Sequence, residues 1–409
     1  MRRASMHGSI FAALGLLAFT SSAQGQSIAN DFIFVWANDA DQKSSNFLAI
    51  VDVSPSSPTF GDVVGSLATG SPGKHAHHTE HEMPAGGILA ANDFDTGETF
   101  LFDLRTPQRP KIAGSFVSAG EYTHAHSFAR LPSGNILATY QTRGHGNAQP
   151  GGLVELSPSG EVLRTSSAAD PSSNDFIRPY SLTVVPVLDR VVTTSADMHE
   201  TQDSRSVQIW RLSDLSLIRT IELPAGPRGT ENRNPAEPRL LADGETVIIS
   251  TFSCGLFRVT NLAGDDPSAE WIHSFPGAGG ELECALPVVA GKYWIQTDPT
   301  VPGLIALDMS DPGRPTEAGR MALPAGAIPH WISLAPDGCR IVLTGYKDLT
   351  HQVLLANLDP ATGALTLDNR FRMAGSSQPG ISFNRPGWPH GDTGAAIPHG
   401  AVFHRPQAH

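Results

Sequence analysis

Histidines recur at one position of a strand pattern that repeats along the chain. In three copies of the pattern, a turn that begins with Pro follows the strand, and the histidine stands six places before that Pro. A fourth histidine is aligned with these three by a shared Ile-Pro-His motif. These four are His78, His126, His330 and His399. The pattern occurs seven times, so it offers seven equivalent positions. The chain has 16 histidines among 409 residues, so chance would place fewer than one histidine at those seven positions. Imidazole nitrogens gathered around one space bind transition metals, and copper(II) binds most tightly among the divalent ions.

Further side chains extend this candidate metal site. Side chains alternate along a strand, so His124 shares the face of His126, and Glu80 shares the face of His78. Tyr180 occupies the repeated position in a copy that lacks a histidine. We therefore predict Tyr180 and Glu80 as catalytic residues. The predicted metal ligands are His77, His78, His124, His126, His199, His330, His390 and His399.

Two simpler interpretations stand beside the metal site. The segment 75–81, HAHHTEH, is also typical of a His-rich tract that binds metal adventitiously. A single histidine facing a channel is more often a hydrogen-bonded structural residue than a ligand.

Copper is the metal we expect at the predicted site, with zinc as the alternative, since both accept nitrogen donors.

The elements that position these residues repeat seven times, at intervals of about 50 residues. Each copy contains a strand-like core, preceded by one strand and followed by a turn and another strand. The seven cores are FLAIVDVS (47–54), TFLFDLR (99–105), GLVELSP (152–158), VQIWRLS (207–213), GLFRVTN (255–261), GLIALDMS (303–310) and VLLANLD (353–359).

A fourth strand leads each copy and carries the recurring histidine position. Four strands in each of seven units predict an all-β fold, a seven-bladed β-propeller. The first unit lacks a leading strand, and the last segment, IPHGAVFH (397–404), can supply it and close the ring. Closure removes exposed strand edges. We expect a single propeller domain over residues 26–409, since two β-sandwiches would not give one period throughout the chain.

The first 25 residues have the features of a secretory signal peptide. Met1-Arg2-Arg3 is followed by an apolar run over 10–19 and by small residues at 21–23. This run is too short to span a bilayer, and no later segment is long and apolar enough to do so. The sequence predicts a periplasmic or secreted protein without a membrane span.

Composition and cysteine content exclude several function classes. The net charge of −12 argues against nucleic-acid partners. Cys254, Cys284 and Cys339 form no CxxC pair, which excludes a thioredoxin-like redox motif and a zinc ribbon. We expect Cys254 and Cys284 to be small buried residues. The oligomeric state stays open.

The chain resembles the selenium-binding protein family, whose exported bacterial members include copper-dependent methanethiol oxidases. His77-His78 matches the family's His-His pair, and a histidine near its C-terminus has His390 or His399 as its counterpart. The family's Cys-x-x-Cys is absent from this chain, which reads TEHEMPAGG at that place. The other matching segments are YTHAHSFARLPSGNILATYQ (122–141), GGLVELSP (151–158), LIALDMSDPGRPTEAG (304–319) and ISLAPDGCRIVLTGY (332–346).

The resemblance implies an exported oxidoreductase that uses copper to oxidise a small thiol, or another small reductant, with oxygen. Two other functions remain open from the sequence. The first is a non-catalytic periplasmic protein that binds copper or zinc. The second is an interaction scaffold, because propellers often present a flat face to partners.

Overall fold

The computed structural model describes Met1 and residues 31–405, apart from 145, 147–148, 174, 200, 278–282, 299–301 and 346–349. Residues 2–25 of the predicted signal peptide lie outside the described residues. Within the described part, the strands form seven antiparallel sheets, each a blade of the ring.

Each blade runs from an innermost strand at the channel to an outer strand at the surface, and the first blade contains the first strand of the chain. This blade consists of β30 (Ala396–Phe403), β1 (Phe32–Asp39), β2 (Ser45–Asp52) and β3 (Val63–Pro72). The second consists of β4 (Ala76–Thr79), β5 (Ile88–Asp93), β6 (Thr99–Asp103) and β7 (Lys111–Phe116). The third consists of β9 (Tyr122–Arg130), β10 (Ile136–Arg143), β11 (Pro150–Leu156) and β12 (Val162–Ser167), with the short β8 (Ser118–Ala119) paired to β9.

The remaining four blades repeat this order. The fourth consists of β13 (Pro179–Val185), β14 (Arg190–Ser195), β15 (Ser206–Arg211) and β16 (Leu217–Glu222), with the 3-10 turn η1 (Pro186–Leu188) between its first two strands. The fifth consists of β17 (Pro235–Leu240), β18 (Val247–Thr251), β19 (Gly255–Thr260) and β20 (Ser268–Ser274). The sixth consists of β21 (Pro287–Ala290), β22 (Tyr293–Asp298), β23 (Gly303–Asp308) and β24 (Thr316–Ala322). The seventh consists of β25 (Trp331–Leu334), β26 (Arg340–Thr344), β27 (Gln352–Leu358) and β28 (Leu365–Leu367), with β29 (Ile381–Ser382) also paired to β27.

The fold is the predicted seven-bladed β-propeller. The seven repeated cores of the sequence are the third strands of the seven blades, counted from the channel. The last strand, β30, pairs with β1, with Phe34 opposite Val402 and Ala37 opposite Pro398. The ring therefore closes by joining the two ends of the chain, as the sequence predicts.

The inner strands are buried on both faces because each blade packs between two neighbours. All eight residues of β1 are buried, whereas the outer strand β7 is largely exposed. Trp36 of the first blade contacts Phe100 and Phe102 of the second, at ring-centroid distances of 5.6 and 5.4 Å. Such contacts explain why the inner strands read as continuous apolar runs rather than as alternating patterns.

Five of the leading strands contain a β-bulge at the same level of the channel. In β9, Phe128 pairs with Ala138 and Ala125 pairs with Tyr140, so that His126 and Ser127 both lie opposite Thr139. A bulge places two consecutive residues against one partner. The five bulges contain His77–His78, His126–Ser127, Tyr180–Ser181, Ala236–Glu237 and His399–Gly400.

A polar side chain opposite the bulge stabilises it and joins two blades. Thr139 Oγ1 accepts a hydrogen bond from the Ser127 amide at 3.0 Å and donates one to the Tyr180 carbonyl of the next blade at 2.8 Å. Thr194 makes the same two bonds, from the Ser181 amide at 3.1 Å and to the Ala236 carbonyl at 2.6 Å.

The second blade uses an amide for the same purpose. Asn92 Oδ1 accepts from the His78 amide at 2.8 Å, and Asn92 Nδ2 donates to the Ala125 carbonyl at 2.6 Å. The buried backbone groups that the bulges remove from the strand ladders therefore keep hydrogen-bond partners.

A disulfide joins Cys254 to Cys284, which corrects the expectation that these are simply two small buried residues. It connects the turn after β18 to the segment before β21, and so ties the fifth blade to the sixth. Spacing alone does not reveal the pair, since 30 residues separate the two cysteines. Cys339 is a free cysteine. Among the described residues no helix has the length and apolarity needed to cross a membrane.

We predict that replacing Cys254 and Cys284 together by Ser lowers the free energy of unfolding by about 2–4 kcal/mol, because the disulfide restricts the unfolded chain. Denaturant unfolding followed by tryptophan fluorescence measures this change. Cys339→Ser is the matched control and should leave the unfolding midpoint unchanged. Equal midpoints for the double variant and the control would show that the disulfide does not contribute to stability.

Candidate metal centre

Six histidines lie together at the channel mouth where the leading strands begin: His75, His77, His78, His126, His330 and His399. His77 is in contact with the rings of His78, His126 and His399, at centroid distances of 4.0, 4.8 and 4.5 Å. His330 lies 5.0 Å from His399. We call these six residues the histidine cluster.

The bulges determine which histidines share a level of the channel. The sequence alignment places His78 at the level of His126, but the strand pairing makes His77 the equivalent residue, as the first member of its bulge. His399 and Tyr180 are the first members of their own bulges. Because two consecutive residues lie opposite a single partner, His78 still reaches the cluster, and its ring lies 4.5 Å from that of His126.

The nitrogens of the cluster are close enough for metal coordination. Three sets of three histidines have one ligand atom each within 4.8 Å of the others. They are His75, His77 and His399; His77, His78 and His126; and His78, His330 and His399. Each set draws on at least two blades. The two sets that contain His399 depend on ring closure through β30, whereas His77, His78 and His126 lie on two neighbouring blades.

Backbone and side-chain contacts orient the rings at the centre. His126 Nδ1 donates to the Tyr180 carbonyl at 2.7 Å. A carbonyl oxygen only accepts, so Nδ1 carries the proton and the lone pair of neutral His126 lies on Nε2. His78 Nδ1 contacts Ser127 Oγ at 3.3 Å. Such outer contacts hold metal-binding imidazoles in one orientation and one tautomer.

Burial keeps four imidazoles of the cluster neutral, those of His77, His78, His126 and His399. It lowers the pKa of His126 to about 3, and it lowers the pKa values of His77, His78 and His399 well below the ordinary value. Desolvation is the largest cause, and repulsion between neighbouring imidazoles adds to it. The neutral imidazole is the form that binds a metal ion.

The cluster fits a transition metal by an observation independent of the sequence pattern. His77 Nδ1, His78 Nε2 and His126 Nε2 are buried nitrogens without a hydrogen-bond partner. A buried polar atom left unpaired costs about 1–3 kcal/mol, and coordination of an ion would remove that cost. The three sets contain nitrogen donors alone, which suits copper or zinc and does not suit magnesium or calcium.

Tyr180 lies against the cluster, at the level that the sequence predicts. Its ring centroid is 3.8 Å from that of His126, and Phe252 packs on its other side at 5.3 Å. Tyr180 also lines a cavity of about 560 Å³ that opens at this mouth. His77 and His330 line the same cavity, so it reaches the cluster directly.

Phe94 separates an outer pair of histidines from the cluster. The His124 and His199 rings lie 5.8 Å apart, and Phe94 lies 5.6 and 5.8 Å from them. Phe94 also contacts His126 at 5.9 Å from the other direction. The structure therefore places the two predicted ligands His124 and His199 beside the cluster, outside the three coordinating sets.

His390 lies on the outside of the first blade. Its Nδ1 is 2.7 Å from Ser66 Oγ of the outer strand β3, and its ring packs on Phe47 at 4.7 Å. The segment between β29 and β30, which contains His390, packs on this blade, and Trp388 of the same segment also contacts Phe47. The structure therefore does not bring His390 to the other predicted ligands.

Glu80 faces the opposite end of the channel. Its Oε1 accepts from Arg130 Nε at 2.7 Å, and its Oε2 accepts from the Ala90 amide at 2.9 Å. Burial raises the pKa of Glu80 although Arg130 acts in the other direction. The residue lines a second cavity of about 600 Å³ at the far mouth, so the structure does not place it near the cluster.

Sequence reasoning did not single out His75 or Glu237. His75 lies before β4, and its Nδ1 is 3.4 Å from Asp95 Oδ1. Its presence in the HAHHTEH segment was the available signal.

Glu237 is fully buried as the second residue of its bulge, and its carboxylate accepts a hydrogen bond from Ser181 Oγ at 2.6 Å. A bulge leaves no mark in the strand pattern, so nothing in the sequence indicated this position.

Comparison with known proteins supports the resemblance carried by the motifs. A methanethiol oxidase from a Hyphomicrobium species is 23% identical over 328 residues, which cover 73% of this chain and 71% of that protein. A methanethiol oxidase from Ruegeria pomeroyi is 28% identical over 148 residues, which cover 33% of this chain and 32% of that protein. No protein-family model matches the chain.

Solved structures confirm the fold. A hypothetical selenium-binding protein from Sulfolobus tokodaii superposes with a TM-score of 0.71 at 17% identity, covering 91% of this chain and 93% of that one. The periplasmic gluconolactonase of Pseudomonas aeruginosa superposes with a TM-score of 0.60 at 12% identity, covering 82% and 94%.

Fold and cluster together define a β-propeller whose histidine cluster can bind a metal ion. Within that class, the chain is similar in sequence to two methanethiol oxidases and in fold to a selenium-binding protein, in line with the resemblance of its motifs. This relationship supports an oxidoreductase-type function.

We predict that acid destabilises the metal-free protein. The pKa values of His78 and His126 lie below the unfolded value of about 6.5, so the unfolded chain binds protons that the folded chain excludes. Stability should be complete above about pH 6.5 and fall as the pH decreases toward about 3. Thermal unfolding at a series of pH values measures this.

The matched variant for this measurement replaces His78 and His126 by Gln. Its unfolding temperature should depend less on pH over the same range, because two protonation sites are removed. An identical pH dependence in the two proteins would show that these imidazoles are not the groups that titrate on unfolding.

Proposed function

We propose that the protein is an exported, copper-dependent oxidase that oxidises a small thiol, or another small reductant, with oxygen. The observation that carries this proposal is a buried set of imidazoles with unpartnered nitrogens, one of which, His77, lines a cavity of about 560 Å³. The similarity to two methanethiol oxidases supports the reaction class.

His77, His78 and His126 would hold the copper, since their unpartnered nitrogens belong to one coordinating set. Bound there, copper would supply a redox centre between the reductant and dioxygen. The protein contributes fixed ring orientations, through the Tyr180 carbonyl and Ser127, and a largely buried surrounding. Both reduce the rearrangement needed when the ion changes oxidation state.

The cavity above the cluster would bind the reductant. Its lining combines the apolar side chains of Met198 and Phe252 with polar groups such as Asn234. Tyr180 lines this space and its ring packs on His126, so its phenol group would be a proton or hydrogen-bond donor near a molecule held there. We propose Tyr180 as the catalytic residue for proton transfer.

Export is supported by two separate features. The first 25 residues have the composition of a signal peptide. The Cys254–Cys284 disulfide is of a kind that persists in oxidising compartments such as the periplasm.

We predict that the copper-loaded protein consumes oxygen with methanethiol or related thiols, and that replacing both His78 and His126 by Ala abolishes copper binding and oxygen uptake together. An oxygen electrode and elemental analysis of the purified protein measure the two effects. His273→Ala is the control, since His273 packs on Phe275 in an outer strand. Stoichiometric copper without turnover on any small reductant would leave a metal-binding protein and overturn the oxidase.

We predict that Tyr180→Phe lowers kcat by about 100-fold or more, while copper content and KM change little, because the variant retains the ring packing and loses the Oη proton. Steady-state oxygen uptake with parallel metal analysis tests this. Unchanged kcat would exclude proton transfer by Tyr180, and lost copper would instead assign it a role in holding the cluster.

We predict that cells expressing the full chain release it with the periplasmic fraction, with an N-terminus near residue 25, because the signal segment is removed on export. Cell fractionation and N-terminal sequencing of the mature protein measure both. An intact Met1 in the cytoplasmic fraction would contradict export.

A further inference from the structure

The cavity beside the histidine cluster is much larger than a molecule of methanethiol. Its volume of about 560 Å³ is typical of sites that bind molecules of many atoms, whereas methanethiol has a single carbon and a single sulfur atom. His77 and Tyr180 line the cavity and are buried, whereas Asp203 and Arg233 line it and are exposed. The cavity therefore extends from the cluster to solvent, and a reductant held in it has room for a second functional group at the rim.

The rim of the cavity carries one positive and one negative side chain next to each other. Arg233 Nη1 lies 3.7 Å from Asp203 Oδ2, and both side chains are about half exposed. Apart from this contact, the Arg233 guanidinium makes no hydrogen bond to the residues that the structure describes. Its planar fork of N–H donors matches the geometry of a carboxylate. Arg233 can therefore bind a carboxylate, while Asp203 can accept hydrogen bonds from an ammonium group.

The backbone that carries Arg233 is held in place. The Arg233 amide donates to Ser253 Oγ at 3.0 Å, and Ser253 Oγ donates to the Arg233 carbonyl at 2.9 Å. Ser253 also lines the cavity and directly precedes Cys254, which the disulfide ties to Cys284. The guanidinium is thus presented from a fixed segment of the rim.

Asn234 holds the other member of the pair. Its Nδ2 donates to Asp203 Oδ1 at 3.1 Å, and its Oδ1 accepts from the Ser204 amide at 3.0 Å. The Asn234 amide also donates to the Ser204 carbonyl at 2.7 Å. A rim fixed before binding reduces the entropy lost when a ligand is bound.

We propose that Arg233 and Asp203 recognise the charged groups of an α-amino acid, so that the reductant is a thiol that carries such a group. Its carboxylate would bind Arg233 and its ammonium would bind Asp203. Both groups of an α-amino acid are attached to one carbon atom, so their close spacing suits a neighbouring guanidinium and carboxylate. This inference rests on the proposed function and narrows its small thiol to a zwitterionic class.

Oxygen uptake with matched thiols tests the proposal. Cysteine and homocysteine carry both charged groups, cysteamine lacks the carboxylate and 3-mercaptopropionate lacks the ammonium. The better of the two amino acids should exceed both singly charged thiols in kcat/KM by about 10-fold or more, because it makes both charged contacts. Arg233→Gln should lower kcat/KM for that amino acid by about 10- to 100-fold and for cysteamine far less. Arg233→Lys should restore part of the loss, since it keeps the charge without the fork.

Asp203→Asn gives the reverse pattern. It should lower kcat/KM for the amino acid and for cysteamine, and for 3-mercaptopropionate far less. Arg205→Gln is the matched control, because Arg205 lies close to Asp203 in the chain and forms a similarly exposed pair with Glu222 at 3.8 Å, outside the cavity lining. This control should keep the native order of substrates.

Binding of a ligand that cannot be oxidised as a thiol supplies a readout independent of turnover. S-Methylcysteine and S-methylhomocysteine keep both charged groups and have no free thiol. In isothermal titration calorimetry with the mature protein, the tighter of the two should bind about 10-fold or more weakly to Arg233→Gln than to the native protein. Unchanged unfolding temperatures confirm that the variants are folded.

The outcomes separate this inference from the proposed function. Arg233-dependent binding of the S-methyl amino acid to a protein that consumes no oxygen would support the recognition site and overturn the oxidase. Oxygen uptake that favours methanethiol or a singly charged thiol over both amino acids would leave the oxidase and overturn the recognition site. Equal losses for cysteine and cysteamine in Arg233→Gln would likewise overturn it.

Discussion

The hydrogen bonds that bridge neighbouring blades at three of the five bulges are the constraint on which the structure depends. Asn92, Thr139 and Thr194 each accept from a bulge amide of their own blade and donate to a carbonyl of the next. Because the bonds lie in the buried wall of the channel, they are protected from competition by water. They fix the distance between neighbouring leading strands, and therefore the spacing of the histidines on those strands.

The same bulges explain how a propeller channel can hold a dense group of imidazoles. A regular strand sends alternate side chains to opposite faces, which would give each blade one inward residue at a level. A bulge lets His77 and His78 both reach the centre from one blade. Burial then keeps these rings neutral, and the ring contacts of Tyr180 and Phe94 limit the access of water.

Much of this architecture could be read from the sequence, and the reason is its periodicity. The seven cores and the closing strand repeat a pattern that only a ring of blades satisfies, so the fold followed from the residues. Most of the cluster followed as well, because His78, His126, His330 and His399 occupy the recurring position and His77 belongs to the His-His pair. The residue that shares the level of His126 is His77 and not His78, because a bulge shifts the register of the strand without changing its composition. His75 precedes its strand and was not singled out. The segment of His390, between β29 and β30, has no counterpart in the repeat, so no alignment could place it.

The position of His399 in the chain determines when the histidine cluster is assembled during folding. This residue lies in β30, the strand that pairs with β1 and closes the ring. Two of the three coordinating sets include it. A chain in which β30 has not paired with β1 therefore lacks both of these sets and retains only His77, His78 and His126, so ring closure and the full group of imidazole donors are acquired in one step.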